Sequence, residues 1–174
     1  MTAPEKQQIV ELLPRLRAFA RSLAPSWDQA DDLVQQTVEK GLANLSGFTP
    51  GTRLDSWLFR IMRNAWIDQH RAARPVVAID EVELTQPLIG EDGRQVTEAR
   101  LELARVRAAM DRLPAEYRGV LMLVCVEGMR YREVAEALEL PVGTVMSRLS
   151  RARSALAQEL EIAPQQARNK GEAR

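Results

Sequence analysis

Residues 131–156 have the sequence YREVAEALELPVGTVMSRLSRARSAL, and the pattern indicates two helices joined by a tight turn. Leu140-Pro141 ends the first helix, because proline disfavours helical angles in the residue before it. After the turn, apolar residues recur at helical spacing on one narrow stripe that we expect to face the protein. The stripe consists of Val145, Leu149, Ala152 and Leu156. The stretch therefore predicts a helix-turn-helix.

A second face of the predicted second helix carries short hydroxyls and long guanidiniums. Its members are Thr144, Ser147, Arg148 and Arg151. Arginine can bond a guanine edge or a phosphate through two N–H groups, and serine and threonine allow close approach. In a helix-turn-helix the N-terminal part of the second helix enters the major groove. The face therefore fits duplex DNA, although a solvated face on an ordinary helical hairpin would show the same pattern.

Composition limits the class of protein. The chain has 174 residues, 45% of them apolar and 28% charged, which is typical of a foldable soluble chain. Its net charge is zero, so a nucleic-acid site must come from local charge and not from a global basic excess. No run approaches the roughly 20 apolar residues of a membrane span, and the N-terminus lacks a signal-peptide pattern. We therefore expect a cytoplasmic protein without membrane insertion.

Cys125 and His70 are the single cysteine and the single histidine. A single cysteine excludes an internal disulfide, and the two residues together are too few soft ligands for an ordinary zinc site. Cys125 lies in the apolar run 120–126, so we expect it to be buried and unreactive. The sequence shows no nucleophile, metal cluster or phosphate-binding loop, and we expect neither enzymatic activity nor a cofactor.

Three helices are predicted in the first part of the chain. The first covers residues 7–24, and Pro14 is expected to kink it or to mark a restart. The second begins after Ser26, which fits a capping box with Gln29. The third has Thr52 as its N-cap.

The second helix carries a polar cluster off its apolar face. The cluster consists of Asp31, Asp32 and Gln35. It would suit a basic partner, and a solvated acidic patch would have the same composition.

One side of the third helix interleaves aromatic and cationic side chains: Phe59, Arg63, Trp66, His70 and Arg74. This arrangement suits single-stranded nucleic acid, because rings stack on bases and guanidiniums hold phosphates. Alternatively, the helix packs on two sides, which would bury Phe59 and Trp66. Phe48, in the preceding loop, either plugs the nearby core or offers a surface to an unstacked base.

Residues 75–96 change character. They are acidic and contain proline and glycine, which is typical of a flexible linker. The linker separates two helical units of similar size, residues 1–74 and 97–162, and a polar tail follows at 163–174. We therefore expect an all-α protein of two small helical domains.

Taken in order, these motifs resemble those of the extracytoplasmic-function (ECF) sigma factors, which are promoter-recognition subunits of bacterial RNA polymerase. The resemblance covers nearly the whole chain and is carried by four segments: DDLVQQT at 31–37, FTPGTR at 48–53, SWLFRIMRN at 56–64 and LPVGTVMSRLSRAR at 140–153. One residue departs from the family pattern. Gln36 stands where an acidic residue is common, which implies weaker docking or a shifted charge count.

The resemblance assigns roles to three groups of residues. It implies contacts with core polymerase for Asp31, Asp32 and Gln35. It implies contacts with the -35 element for Arg132, Thr144, Ser147, Arg148 and Arg151, with phosphate contacts from the second helix of the motif and from Arg132. It implies contacts with the melted -10 strand for Phe48, Arg60, Arg63, Asn64 and Asp68. Phe48 and its loop neighbours would hold a flipped base, and the other four residues would lie along the strand. The implied function is an alternative, stress-responsive sigma factor that directs polymerase to promoters and promotes their melting.

The implied partners are bacterial core RNA polymerase, promoter DNA and an anti-sigma factor.

Two other classes of protein stay open. A duplex-binding helix-turn-helix regulator would leave the motifs between residues 31 and 64 unexplained. A helical adaptor that sequesters a regulator would account for the neutral charge, and it would keep its function after replacement of Arg148 and Arg151 by alanine.

Overall fold

The computed structural model describes residues 3–73 and 98–160, with side chains described for 7–71 and 100–160. The all-α prediction is confirmed, since every regular element in these ranges is helical. The α-helices are α1 (Ala3–Leu23), α2 (Trp27–Ala43), α3 (Leu54–Ala73), α4 (Glu98–Asp111), α5 (Ala115–Leu121), α6 (Tyr131–Ala137) and α7 (Val142–Glu159). The predicted linker and tail lie outside the described residues. None of the described helices combines the length and apolar character needed to cross a membrane.

Helix α1 continues through Pro14 and does not restart there. Proline has no N–H to donate, so the carbonyl of Val10 lacks its usual helical partner. Both Pro14 and Val10 have exposed side chains, so this side of α1 faces solvent, where water can satisfy the carbonyl. The position of the proline thus explains why the helix tolerates it.

The start of α2 is as predicted, whereas the start of α3 is not. The Ser26 hydroxyl accepts a hydrogen bond from the Gln29 N–H at 3.3 Å and caps α2. The Thr52 hydroxyl instead donates to the Thr49 carbonyl, so it stabilises the preceding turn. The first helical bond of α3 runs to the carbonyl of Arg53, which therefore holds the N-cap position.

The two helical units pack against each other along a surface that we call the seam. The seam has α1 and α3 on one side, and α5, α6 and the π-helical turn Met122–Val126 on the other. At its centre, a Cβ added to Gly119 of α5 would lie 3.3 Å from Leu23 and 3.6 Å from Phe19 of α1. Glycine at this position lets the two helices approach closely, and one buried apolar cluster extends across both units.

Arg118 joins helix ends on both sides of the seam. Its guanidinium donates to the carbonyls of Ser22 and Leu23 at the end of α1. It also donates to the carbonyls of Asp111 and Leu113 after α4. The last carbonyls of a helix have no partner within the helix, so one side chain satisfies acceptors in both units.

The π-helical turn exposes Cys125, so the prediction of a buried thiol is wrong. Leu123 faces the core with no exposed surface, while Val126 is 67% exposed. An unbroken apolar run cannot place all its residues on the single covered side of a helix, and the last two turn towards solvent. The Cys125 Sγ lies 3.8 Å from a guanidinium nitrogen of Arg153.

Candidate nucleic-acid interface

Helices α6 and α7 form the predicted helix-turn-helix. Val145, Leu149 and Ala152 of the predicted stripe are buried, and Leu156 is half-buried against the same core. Glu139, in the turn, has a φ of 48°. This is the left-handed region, which glycine or asparagine adopts at lower cost than glutamate.

The predicted polar face of α7 is only partly free. Ser147 and Arg151 are exposed, as is Arg132 on α6. Thr144 is half-buried, and its carbonyl accepts a hydrogen bond from the Ser147 hydroxyl at 3.0 Å. Arg148 is paired with Glu116 of α5 at 3.1 Å. Arg148 is therefore held by a carboxylate of its own unit.

An open groove of about 300 Å³ lies between the end of α2 and α3. It brings together two of the predicted -10 residues, Arg60 and Asn64. Its other lining residues are Lys40, Asn44, Gly47, Trp57, Ile61 and Ala65. The groove combines cations, an amide and an aromatic ring, the chemistry that holds an unstacked base beside its phosphate.

The other predicted -10 residues do not line this groove. The Phe48 ring packs on Trp57, with the ring centroids 5.5 Å apart. Arg63 is half-buried on the side of α3 that faces the second unit, and Asp68 is exposed further along the helix. Sequence analysis missed Lys40 and Trp57 as lining residues. Lys40 and Trp57 face the groove because α2 and α3 pack against each other, and the sequence pattern of either helix alone does not show this.

The aromatic side of α3 is largely a packing surface. Phe59 has no exposed area and meets Phe19 edge to face at 5.0 Å. This confirms the packing alternative for Phe59, since α3 contacts α1, α2 and α6. Trp66 is half-buried with a buried indole nitrogen, and its ring centroid lies 4.3 Å from that of His70, so the burial predicted for Trp66 is only partial.

The acidic cluster of α2 lies on the surface. Asp31, Asp32 and Gln35 are all exposed. Arg17 of α1 holds Asp31 through two hydrogen bonds of 2.8 and 3.0 Å. Gln35 donates to Glu39 one turn further along α2. The cluster therefore forms one continuous polar face, and among the described side chains Arg17 is the cation paired with it.

A buried carboxylate organises the start of α3. Asp55 is 7% exposed and accepts hydrogen bonds from Arg53 and from the Ser56 N–H, and it is paired with Arg15 at 2.9 Å. Burial alone would raise the pKa of Asp55, but the Arg53 and Ser56 hydrogen bonds and the two positive charges lower it to about 2. Asp55 thus stays ionised and fixes both arginines.

Charged pairs connect the two units at the seam. Arg53 donates to Glu133 of α6 at 2.8 Å, and Arg15 is bonded to Glu127. At the helix-turn-helix turn, the Glu139 carboxylate lies 3.3 Å from the Asn64 side-chain nitrogen and 3.4 Å from Arg63. Carboxylates of the second unit therefore contact polar side chains of the first unit's candidate interface.

Charges on one candidate DNA-contacting face influence a residue on the other, Arg63. Burial lowers the pKa of Arg63, Glu139 raises it, and the positive charges of Arg148 and Arg71 lower it further. A predicted -10 residue and a predicted -35 residue thus repel each other across the seam, with Glu139 between the units as a counter-charge.

Comparison with known proteins gives two family matches. Residues 9–76 match the description Sigma-70 region 2, and residues 103–156 match Sigma-70, region 4. Among curated proteins, the ECF RNA polymerase sigma factor EcfG of Rhodopseudomonas palustris is 40% identical over 156 residues, which cover 90% of this chain and 84% of the relative.

Two solved structures are similar over most of their length. The sigma factor RpoE, crystallised with the anti-sigma factor NepR from Bartonella quintana, has a TM-score of 0.71 and is 33% identical, covering 92% of this chain and 99% of that one. CnrH, in complex with the cytosolic domain of CnrY, has a TM-score of 0.63 and 31% identity, covering 90% of this chain and 86% of that one.

Proposed function

Because the chain belongs to the ECF RNA polymerase sigma factors, which are alternative sigma factors that direct transcription from specific promoters, we propose that it works through three separate surfaces. One docks on core polymerase, one binds the -35 duplex and one captures the unpaired -10 strand. The observation that carries this proposal is the pairing, in one chain, of a helix-turn-helix face with a groove lined by Trp57, Arg60 and Asn64. A protein that binds only duplex DNA has no need for such a groove.

The polymerase surface is the acidic cluster of α2. Asp31, Asp32 and Gln35 are exposed together, so they can meet a basic partner without rearrangement of the helix. The -35 surface is the exposed edge of α7 with Ser147 and Arg151, supported by Thr144 and Arg148 on the same helix and by Arg132 on α6. We assign residues 1–74 to polymerase and -10 binding, and residues 97–162 to -35 binding.

Promoter melting follows if the chain binds the open promoter more tightly than the closed duplex. An unpaired base can enter the groove between α2 and α3 only after the duplex opens, so each such contact stabilises the open form over the closed one. Arg60 and Asn64 line the groove, and Phe48 packs on Trp57, which also lines it. We assign Arg63 and Asp68, on the same helix, to contacts with the strand beyond the groove. This mechanism makes and breaks no covalent bond in the DNA, and the chain acts where promoter DNA and polymerase are, in the bacterial cytoplasm.

An anti-sigma factor is the third proposed partner. The structure of RpoE contains the anti-sigma factor NepR, and the structure of CnrH contains the cytosolic domain of CnrY. This chain matches both over at least 86% of their length. We expect a comparable regulator to compete with polymerase or DNA for the surfaces described above.

Co-elution with bacterial core RNA polymerase tests the polymerase surface. We expect the wild-type chain to co-elute and the chain with Asp31→Ala and Asp32→Ala to be lost from the complex. The matched control replaces two other exposed acids, Glu11 and Glu136, by alanine, so that the charge change is the same. Wild-type protein that retains a genomic duplex but never binds polymerase would support the duplex-binding regulator instead.

Transcription from a promoter selected with the reconstituted holoenzyme tests the separate roles of the -10 groove and the -35 face. Arg60→Ala with Asn64→Ala should reduce transcription from a duplex promoter and should be rescued by a template with a pre-opened -10 region. Arg151→Ala should not be rescued by that template, because it weakens duplex binding and not capture of the open strand. Unchanged transcription after Arg148→Ala with Arg151→Ala would favour the helical adaptor.

A further inference from the structure

Helix α7 exposes a long apolar side chain beside the polar residues of the -35 surface. Met146 lies in the second turn of α7 and is 53% exposed, and Val142, one turn earlier, is 39% exposed. The core side of the helix is filled by Val145 and Leu149, which are at most 2% exposed. Core packing therefore does not explain an apolar residue at position 146.

The surroundings of Met146 on α7 are open. Gly143, three positions earlier, would meet no side chain within 4 Å if it carried a Cβ. Ser150, four positions later, is short and exposed. Residues three and four positions apart are neighbours on a helix surface, so these neighbours leave the thioether of Met146 accessible to a surface that approaches the helix.

Met146 and Arg151 flank the exposed face of α7. At about 100° per residue the two positions lie about 140° apart around the helix, with Ser147 and Ser150 between them. In a helix-turn-helix the N-terminal part of the second helix lies in the major groove. The face therefore presents two long side chains to the bases, one cationic and one apolar.

The chemistry of Met146 restricts what it can recognise. The side chain carries no charge for a phosphate and no hydrogen to donate, and its sulfur is only a weak acceptor. Among the groups that base pairs present in the major groove, the 5-methyl group of thymine is the apolar one. An unbranched thioether adapts its shape to such a group. A thymine methyl is therefore the base contact that fits this side chain.

We propose that Met146 is a specificity-determining residue of the -35 surface and recognises a thymine through its 5-methyl group, with Val142 extending the apolar contact. The proposal rests on the proposed function, because it names what one further residue of that surface binds. Arg151 supplies charge and hydrogen bonds. Met146 distinguishes thymine from cytosine, which carries a hydrogen where thymine carries the methyl group.

Replacement of single thymines by deoxyuridine tests the contact, because deoxyuridine pairs as thymidine does and lacks only the 5-methyl group. Each thymine on either strand of the -35 element is replaced in turn, in a promoter selected with the reconstituted holoenzyme. Filter binding of the holoenzyme at fixed salt should show one or two positions at which affinity falls about three- to fivefold, the effect of one lost buried methyl group. An element without thymine, or with no position that responds, would overturn the proposal.

Replacement of Met146 by alanine identifies the partner of the methyl group. Met146→Ala should bind the thymine duplex more weakly than wild type does, and it should not distinguish that duplex from the sensitive deoxyuridine duplex. Such non-additivity indicates a direct pair. Val126→Ala, at an exposed apolar position outside α7, is the matched control and should keep the full deoxyuridine effect. A deoxyuridine effect that persists in Met146→Ala would assign the methyl contact to another residue and contradict the proposal.

Arg151→Ala, measured in the same assay, separates this proposal from the proposed function. A holoenzyme that loses affinity with Arg151→Ala, yet shows no deoxyuridine effect, would contradict the role of Met146 alone. A holoenzyme whose affinity for the duplex depends neither on Arg151 nor on any thymine methyl would contradict the -35 surface itself.

Discussion

The Arg53 guanidinium lies 2.8 Å from the Glu133 carboxylate, although 80 positions separate the two residues in the chain. Arg53 also donates to Asp55, which is buried in the first unit and paired with Arg15. The contact between the units is thus an extension of an ionic network that already organises the start of α3. A change in that network is expected to affect both the stability of the first unit and its attachment to the second.

Asp55 should make stability depend on pH. Its pKa is about 2, below its ordinary value of 3.8, because hydrogen bonds from Arg53 and Ser56 and nearby positive charge outweigh its burial. A carboxyl whose pKa is lower in the folded state stabilises the fold above about pH 4, and this contribution is lost as the pH falls towards 2. It amounts to about 2 kcal/mol, since one pKa unit corresponds to about 1.4 kcal/mol. Chemical denaturation of wild type and Asp55→Asn at about pH 6 and about pH 2.5 measures it.

The two proteins should differ in unfolding free energy at the higher pH and converge at the lower one. Glu136→Gln, at an exposed acid of α6, serves as the control and should show no such convergence. A constant difference between wild type and Asp55→Asn would mean that packing, and not ionisation, is what the substitution removes.

Arg118 should contribute more to stability than any exposed arginine. Arg118→Met keeps the apolar part of the side chain but removes hydrogen bonds to the ends of α1 and α4. We expect a loss of about 2–4 kcal/mol in unfolding free energy, because charged hydrogen bonds are lost and carbonyls are left without partners. Urea denaturation measures the loss. Arg107→Met, on the exposed side of α4, should cost much less; equal losses would contradict the role of Arg118.

Glu116 should restrain the -35 helix. Its carboxylate holds Arg148 at 3.1 Å, so Glu116→Gln should tighten binding of the holoenzyme to a -35 duplex by about two- to fivefold. Arg148→Ala should weaken binding by about 1–3 kcal/mol if the guanidinium contacts a base edge. Filter binding at fixed salt measures both. In the double variant the gain from Glu116→Gln should vanish, and a persistent gain would show that only general charge is involved.

Cys125 should react in the native protein. Its thiol is exposed on the π-helical turn, so maleimide labelling should proceed within about a factor of ten of the rate in denaturant. Mass spectrometry of wild type and Cys125→Ser measures the labelling and its specificity. Reaction that begins only after denaturant is added would show that the thiol is covered.

Local patterns in the sequence predict the local parts of the fold. The buried stripe of α7 and the Ser26 cap of α2 depend on residues within a few positions of each other, and both are confirmed. The N-cap assigned to Thr52 is wrong because its hydroxyl bonds backwards into the turn. A hydroxyl near a helix start can cap a backbone N–H of the helix or donate to a preceding carbonyl, and composition does not distinguish the two.

The seam and the groove are less accessible to sequence reasoning. Arg60 and Asn64 share a helix and were predicted together, but the groove also requires Lys40 from α2 and the Trp57 ring. The seam joins residues such as Arg53 and Glu133, whose spacing carries no periodic signal. The polymerase, -10 and -35 roles of individual side chains stay predictions, since a free chain shows where they lie and not what they bind.

The close approach at Gly119 also has a consequence for the nascent chain. Phe19 and Leu23 leave the ribosome long before Gly119, the position that lies against them in the finished protein. Bacterial synthesis at about 5–20 residues per second leaves an interval of about 5–20 seconds between the two events. During that interval the apolar side of α1 has no cover from α5, so the first half of the protein is most vulnerable to aggregation and proteolysis while the second half is still being made.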